Sequence, residues 1–224
     1  MKILGNRYPL IYHQPMDGIT YEYREATHEV SHGYLKPCVD KLVGQIPAGA
    51  QVLDLGCGNG SFISLYRDRG WHLHGTDFSS TGIEIAKQNF PDIDFILADA
   101  SSPAGDIAER VGLVDLIIST EVIEHLYNPR GFLKNAYDLL NPGGLFVVTT
   151  PYHGYLKNLM LAVTGSMDKH YTVLWDHGHI KFWSRRTLGK LLTEAGFEAA
   201  TIRRPDIIPQ FSRSMVATAR KPVR

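Results

Sequence analysis

Val52-Leu53-Asp54-Leu55-Gly56-Cys57-Gly58-Asn59-Gly60 is the stretch from which the rest of the chain can be read. A short apolar run stops at three alternating glycines, and Ser61 then opens Phe62-Ile63-Ser64-Leu65-Tyr66, which reads as helix. Strand, glycine turn and helix together make the ligand cradle of open α/β sheets. Glycine permits positive φ and lets a ligand approach the backbone closely. A dinucleotide cradle wants G-x-G-x-x-G, but Ser61 stands where the third glycine belongs. Asp54 adds a carboxylate inside the strand, which repels a pyrophosphate and suits a cationic or amino-bearing ligand.

The elements downstream follow the alternation of an α/β sheet. Trp71 to Asp77 reads as a second strand ending on an acid, 21 residues after Gly56, where a carboxylate can accept both hydroxyls of a ribose. Phe78 follows and can stack on a base. Ser79 or Ser80 caps a helix to Asn89, and Pro91 stops it. Asp94 to Ala98 is a third strand, ending in Asp99-Ala100. Val114 to Thr120 has the composition of a buried parallel strand, with Glu121-Val122-Ile123-Glu124-His125-Leu126 directly after it. Arg130 to Leu140 is an amphipathic helix, Asn141-Pro142-Gly143-Gly144 a turn, and Leu145 to Thr150 a strand ended by Pro151. Ser184 caps a helix over Arg185 to Ala195 that Gly196 stops. Phe197 to Arg203 and Ser214 to Ala219 read as strands whose connection is too short for a parallel crossover.

Asp54-x-Gly56-x-Gly58, the acids closing the second and third strands, and Leu140-Asn141-Pro142-Gly143-Gly144 resemble the class I S-adenosylmethionine (SAM) methyltransferases over Val52 to Pro151. The resemblance implies a single domain, 1–224, built as a doubly wound seven-stranded α/β sheet in the order 3-2-1-4-5-7-6, with strand 7 antiparallel and helices on both faces. It implies SAM as cofactor, held by Asp54, Gly56, Cys57, Gly58, Asp77, Phe78, Asp99, Ala100 and Thr120. In that reading Asp77 takes the ribose, Asp99 the adenine amino group and the Ala100 N–H the ring. Within the superfamily, Glu121 to Leu126 with His179-Ile180-Lys181-Phe182-Trp183-Ser184 is similar to the ubiquinone-pathway O-methyltransferases, implying a small-molecule hydroxyl as acceptor. RNA 2′-O-methyltransferases carry similar motifs. An NAD-dependent oxidoreductase and a non-catalytic SAM-binding protein remain as rivals, the first disfavoured by Asp54 and the missing glycine.

His125 and His179 are the candidate catalytic residues; Glu121, Tyr152, Trp175 and His177 are the candidates for acceptor binding. If Glu121 opens a helix after the fourth strand, Glu124 at i+3 and His125 at i+4 share its face. His179 could then close a divalent metal site from the opposite side, as the matching histidine does in the RNA-methylating relatives. Without metal, a histidine there can act as base.

The remaining segments flank this frame. Residues 1–47 form an N-terminal arm and helices. Tyr8, Tyr12, Tyr21 and Tyr23 in the arm read as a surface packing element or as a flap over the ligand. The helical spacing from His28 to Ile46 is interrupted by Pro37, which predicts a kink or two short helices. Residues 152–183 are the least regular part. Their aromatics and histidines argue against disorder, and they read as a lid that shapes the acceptor pocket. Acids and bases balance at 23 each, so no general attraction to nucleic acid or anionic membranes is expected. Cys38 and Cys57 make no disulfide framework, no signal-peptide core opens the chain and no membrane-length apolar run occurs, which fits a reducing cytoplasm. Nothing in the pattern sets an oligomeric state.

Overall fold

The computed structural model describes residues 22, 23, 25, 30–101, 103–171, 178–204, 206, 210 and 212–223. Seven strands form one sheet in the order β3-β2-β1-β4-β5-β7-β6. They are β1 (Gln51–Leu55), β2 (His72–Asp77), β3 (Asp94–Leu97), β4 (Val114–Thr120), β5 (Leu140–Pro151), β6 (Glu198–Arg203) and β7 (Ser214–Arg220). β1 to β5 run parallel, and β7 is antiparallel to both β5 and β6.

The central strands are apolar on both faces because both are covered. Leu53, Leu55, Ile117, Phe146 and Val148 point into a core with α4 (Pro129–Leu139) and α7 (Arg185–Glu194). Their neighbours Val52, Leu116, Ile118, Leu145 and Val147 point into a second core with α1 (Val30–Val43) and α2 (Ser80–Asn89). The period-2 alternation of each strand thus splits its residues between two cores. α3 (Gly105–Val111) completes the first of these layers, through buried Ile107.

Three local expectations give way to packing. The chain after the glycine turn is a 3-10 helix, Ile63–Arg69, ended by Gly70 at φ 68°. α1 is one helix that runs through Pro37. Leu35, Val39 and Val43 on its inner face are fully buried, and that burial outweighs the one backbone bond proline removes. Asn141 to Gly144 form an irregularity within β5: Leu140 pairs with Val114 and Leu145 with Leu116. Asp115 stabilises it, accepting from Asn141 Nδ2 at 2.8 Å and from the Gln51 N–H at 2.9 Å.

Past β5 come α5 (Tyr155–Val163) and α6 (Met167–Tyr171), so the irregular 152–183 segment has more helix than its sequence suggested. Trp175 and His177, with residues 8–21 of the arm, lie outside the described residues. No helix among the described residues is long and apolar enough to cross a membrane.

Candidate active site

A cavity of about 960 Å³ opens at the carboxyl ends of the parallel strands. Its floor is the glycine turn. The Gly56 and Cys57 N–H groups both donate to the Thr76 carbonyl, at 2.8 and 2.9 Å, which fastens the turn to β2. Asp77 completes the fastening: Oδ2 accepts from the Gly58 N–H and Oδ1 from the Ser79 N–H, each at 2.9 Å. One carboxylate therefore joins the turn to the start of α2. The glycines are required by space as well as by φ. A Cβ on Gly56 (φ 89°) would lie 2.5 Å from Val122 Cγ2, and one on Gly58 (φ 54°) 2.5 Å from the Tyr23 hydroxyl.

Gly56, Cys57, Gly58, Asp77, Phe78, Asp99, Ala100 and Thr120 all line the cavity. Phe78, next to Asp77 on the cavity wall, is 52% exposed. Asp99 engages Ser101 through Oδ1 alone, accepting from its N–H at 2.7 Å and its hydroxyl at 2.8 Å. Asp54 departs from the expected pattern. It is fully buried beneath the turn and does not line the cavity, and neither carboxylate oxygen has a hydrogen-bond partner among the described residues. Burial, and then the Asp77 charge, push its pKa well above the carboxylate range. Asp54 therefore lies beneath the turn rather than on the cavity wall.

At the other end of the cavity β4 runs into a left-handed residue instead of a helix. Glu121 has φ 55°, and the only helical turn that follows is a 3-10 turn, Ile123–His125. Glu121 lines the cavity, but its carboxylate turns to the sheet: Oε1 accepts from Thr149 Oγ1 at 2.8 Å and Oε2 from Ser214 Oγ at 3.2 Å. The shared helix face for Glu121, Glu124 and His125 does not exist.

Glu124, His125 and His179 do meet, with ligand atoms within 4.8 Å of one another and without Glu121. Glu124 is fully buried, and its Oε2 accepts from Thr150 Oγ1 at 3.0 Å. Its Oε1 lies 4.0 Å from Nε2 of both His125 and His179. The two rings stand edge to face with centroids 5.0 Å apart. His179 is brought there by backbone pairing: the Ile180 and Lys181 N–H groups both donate to the Glu124 carbonyl at 2.9 Å. Burial first, then the neighbouring His125 and His170, hold the His179 pKa down to about 4, so its ring is neutral near pH 7.

Tyr152 is not in the cavity. It is buried beside it, its hydroxyl accepting from Arg204 Nη1 at 3.2 Å. This end of the cavity is lined instead by Leu126, Tyr127, Tyr171, Ile180 and Phe182, of which Leu126, Ile180 and Phe182 lie in the motifs quoted above and Tyr171 and Phe182 in the 152–183 segment read as a lid. Their aromatic content was the available signal, but nothing in the spacing distinguished them from core. Tyr23 also lines the cavity, and its N–H donates to Thr81 Oγ1 at 3.1 Å. The described end of the arm thus lies over the glycine turn. Behind the wall, His153 packs among the rings of His170, Tyr171 and Phe182 at 5.0 to 5.8 Å.

Residues 25–202 match a family described as a methyltransferase domain. Among curated relatives, a ubiquinone biosynthesis O-methyltransferase from Mesorhizobium japonicum is 32% identical over 127 residues, covering 57% of this chain and 49% of that one. Another from Chelativorans is 30% identical over 152 residues, covering 66% and 58%. The chain thus spans roughly half to three-fifths of the length of these relatives. A solved SAM-dependent methyltransferase from Archaeoglobus fulgidus superposes with a TM-score of 0.62 at 16% identity, covering 85% of this chain and 95% of that one, which shows the shared fold.

Proposed function

The chain belongs to the methyltransferase-domain family, whose methyl donor is SAM, and from that premise we propose that it methylates a hydroxyl group of a small molecule. The observation that carries the hydroxyl assignment is the neutral His179 ring paired with His125 over the buried Glu124. The similarity to ubiquinone biosynthesis O-methyltransferases supports it.

The cavity fits the donor. The glycine turn lines its floor, Asp77 lines it and in this reading accepts from the ribose hydroxyls, and Phe78 offers an exposed ring. When bound, SAM supplies a methyl group already activated by a sulfonium. The protein's work is to align the acceptor oxygen with that carbon, exclude water and take up a proton. An imidazole nitrogen of the His125–His179 pair would take up the acceptor's hydroxyl proton, and bound SAM would supply the methyl group to that oxygen. The Glu124 carboxylate, 4.0 Å from both Nε2 atoms, would favour the proton on His125, because burial holds the His179 ring neutral. Such a base is worth about 10²- to 10⁴-fold in rate.

The same three residues favour a second reading, a divalent ion that lowers the pKa of the acceptor hydroxyl. Two imidazoles and one carboxylate suit Zn²⁺ or Mn²⁺. The side chains would have to draw in to metal–ligand distances of roughly 2.0–2.2 Å.

The test is release of S-adenosylhomocysteine with a panel of phenols and catechols, before and after exhaustive chelation. The expected result is turnover that survives chelation, falls about 100-fold or more in His125→Ala and His179→Ala, and leaves SAM affinity unchanged. Loss on chelation with recovery on adding one ion would replace the base by the metal. Full activity in both variants would remove both readings.

A further inference from the structure

Among the described residues, Glu121 and Ala199 are the non-glycine positions with positive φ, and their settings differ. Ala199, at φ 52°, sits where β6 slips its register against β7, on an exposed edge of the sheet. Glu121, at φ 55°, lies just past the last pair of β4 with β5, on the wall of the cavity. A residue with a Cβ keeps this conformation only where its surroundings hold it.

The surroundings of Glu121 are hydrogen bonds made by its own side chain and N–H. The N–H donates to the Thr149 carbonyl at 3.2 Å and to Thr149 Oγ1 at 3.1 Å, and that hydroxyl donates back to Oε1 at 2.8 Å. Oε2 accepts from Ser214 Oγ at 3.2 Å. A hydroxyl has one proton to give, so in the 3.1 Å bond between Tyr34 and Ser214 it is the Tyr34 hydroxyl that donates. Burial first, and then the Glu121 charge, push the Tyr34 pKa up to about 12, which keeps that proton on the phenol. The run of donors therefore starts on α1, passes through β7 and ends at the carboxyl end of β4. Thr149 and Ser214 are buried, so water does not compete for these bonds.

The turn that follows depends on this anchorage. The His125 N–H donates to the Val122 carbonyl at 2.9 Å, so the direction that Glu121 gives to Val122 is passed on to His125. Val122 also packs on the glycine turn, where a Cβ on Gly56 would lie 2.5 Å from its Cγ2. We infer that Glu121 is a positioning residue, whose carboxylate, held by Thr149 and by the Tyr34–Ser214 relay, fixes the left-handed turn that presents His125 to the cavity. The role uses the hydrogen bonds of the carboxylate and not its charge. What His125 does chemically rests on the methyl-transfer reading; its placement by Glu121 does not.

The test is the rate at which diethyl pyrocarbonate modifies His125 in the full chain, followed by peptide mass spectrometry, because this needs no turnover. Exposed His72, at the other end of the sheet's strands, is the internal reference. In variants with the parent's circular dichroism spectrum, Glu121→Ala should speed His125 modification severalfold relative to His72. Ser214→Ala should do so to a lesser degree, and Tyr34→Phe less again. Glu121→Gln meets both hydroxyls, its oxygen accepting from one and its amide donating to the other, so His125 should react as slowly as in the parent. Glu121→Gly takes φ 55° without strain but lacks the bonds, and should react as Glu121→Ala does. With a working acceptor, kcat should fall about 10- to 100-fold in Glu121→Ala while SAM affinity stays, and Glu121→Gln should recover most of the loss. Parental His125 reactivity in both Glu121→Ala and Ser214→Ala would overturn the proposal. Parental reactivity in Glu121→Gly would overturn it too, because the turn would then need only its dihedral angle. So would fast modification in Glu121→Gln, because charge or a bound cation would then be what matters. A parent chain that turns over no acceptor would sink the methyl-transfer reading and leave the His125 rates to decide this one.

Discussion

Under the methyl-transfer proposal, the donor half of the cavity and the acceptor half are built by opposite means. The glycine turn, β2 and the start of α2 are held by backbone hydrogen bonds and by one carboxylate, Asp77, that is itself buried. Every position there is fixed by short-range geometry. The acceptor half is lined by the 3-10 turn after β4, by Tyr171 at the end of α6 and by the return 178–182, which come from far apart in the chain. Two N–H groups on one carbonyl, at Glu124, bring His179 to His125. The contrast teaches that a constant ligand can be read by backbone, whereas the acceptor is met by side chains on elements tied down at a few points.

The comparison breaks most readily at Asp77. Asp77→Ala removes the acceptor of the Gly58 N–H along with the carboxylate proposed to hold the ribose diol. The expected loss in SAM affinity is about thirtyfold, or about 2 kcal/mol, by titration calorimetry. Because the turn is a rigid unit, thermal stability should fall in the same variant. Unchanged SAM affinity would show that the ribose is held elsewhere and that the donor half is not read through this carboxylate.

The donor half was legible because its chemistry lies within short stretches of chain. Asp77 ends β2, Gly56 and Gly58 follow closely on β1 and Asp99 on β3, and strand ends converge in a parallel sheet. Asp54 was misplaced because alternation puts it on a strand face, and sequence does not say that this face is sealed. The acceptor half was legible only as residue types. His125 and His179 meet through a backbone pairing that no spacing reports. Glu121 was expected to start a helix, but it takes φ 55° and gives its carboxylate to Thr149 and Ser214, on β5 and β7.

A smaller effect tests whether the acceptor half is a titrating structure. His153 is 6% exposed, and neither ring nitrogen has a partner among the described residues. Burial, then the charges of Lys157, His170 and His179, hold its pKa down to about 3. Its unfolded value is near 6.5. Between those two values the unfolded chain binds a proton that the folded chain refuses, so stability falls as pH drops from about 6.5 towards 3. From pH 7 to 5.5 the loss from this one residue is about 1.3 kcal/mol. His179 acts in the same direction, over a window that ends near its own value of about 4. His153→Phe keeps the ring packing and has no proton to bind. Denaturation at the two pH values should show it less acid-sensitive than the parent by about that amount. An unchanged pH dependence would show that His153 titrates normally and that its burial is relieved in solution.

The smallest effect asks whether the two halves are one mechanical unit. Ser184 caps α7 at the end of the return that carries His179. Its Oγ accepts from the Thr187 N–H at 3.3 Å, and the Thr187 hydroxyl faces back to the Ser184 N–H at 2.9 Å. Ser184→Ala removes one side of this reciprocal cap and should cost about 1 kcal/mol. In a chain of 224 residues that corresponds to a fall of roughly 2–4 °C in melting temperature. Because the bonds that hold the glycine turn run to Thr76 and Asp77, none of them passes through α7. SAM affinity should therefore stay the same, while the KM of a working acceptor rises as the return loosens around His179. If SAM affinity instead falls in step with stability, the cap is felt at the glycine turn. The two halves would then move together, and the separation between a backbone-fixed donor site and a side-chain-built acceptor site would have to be given up.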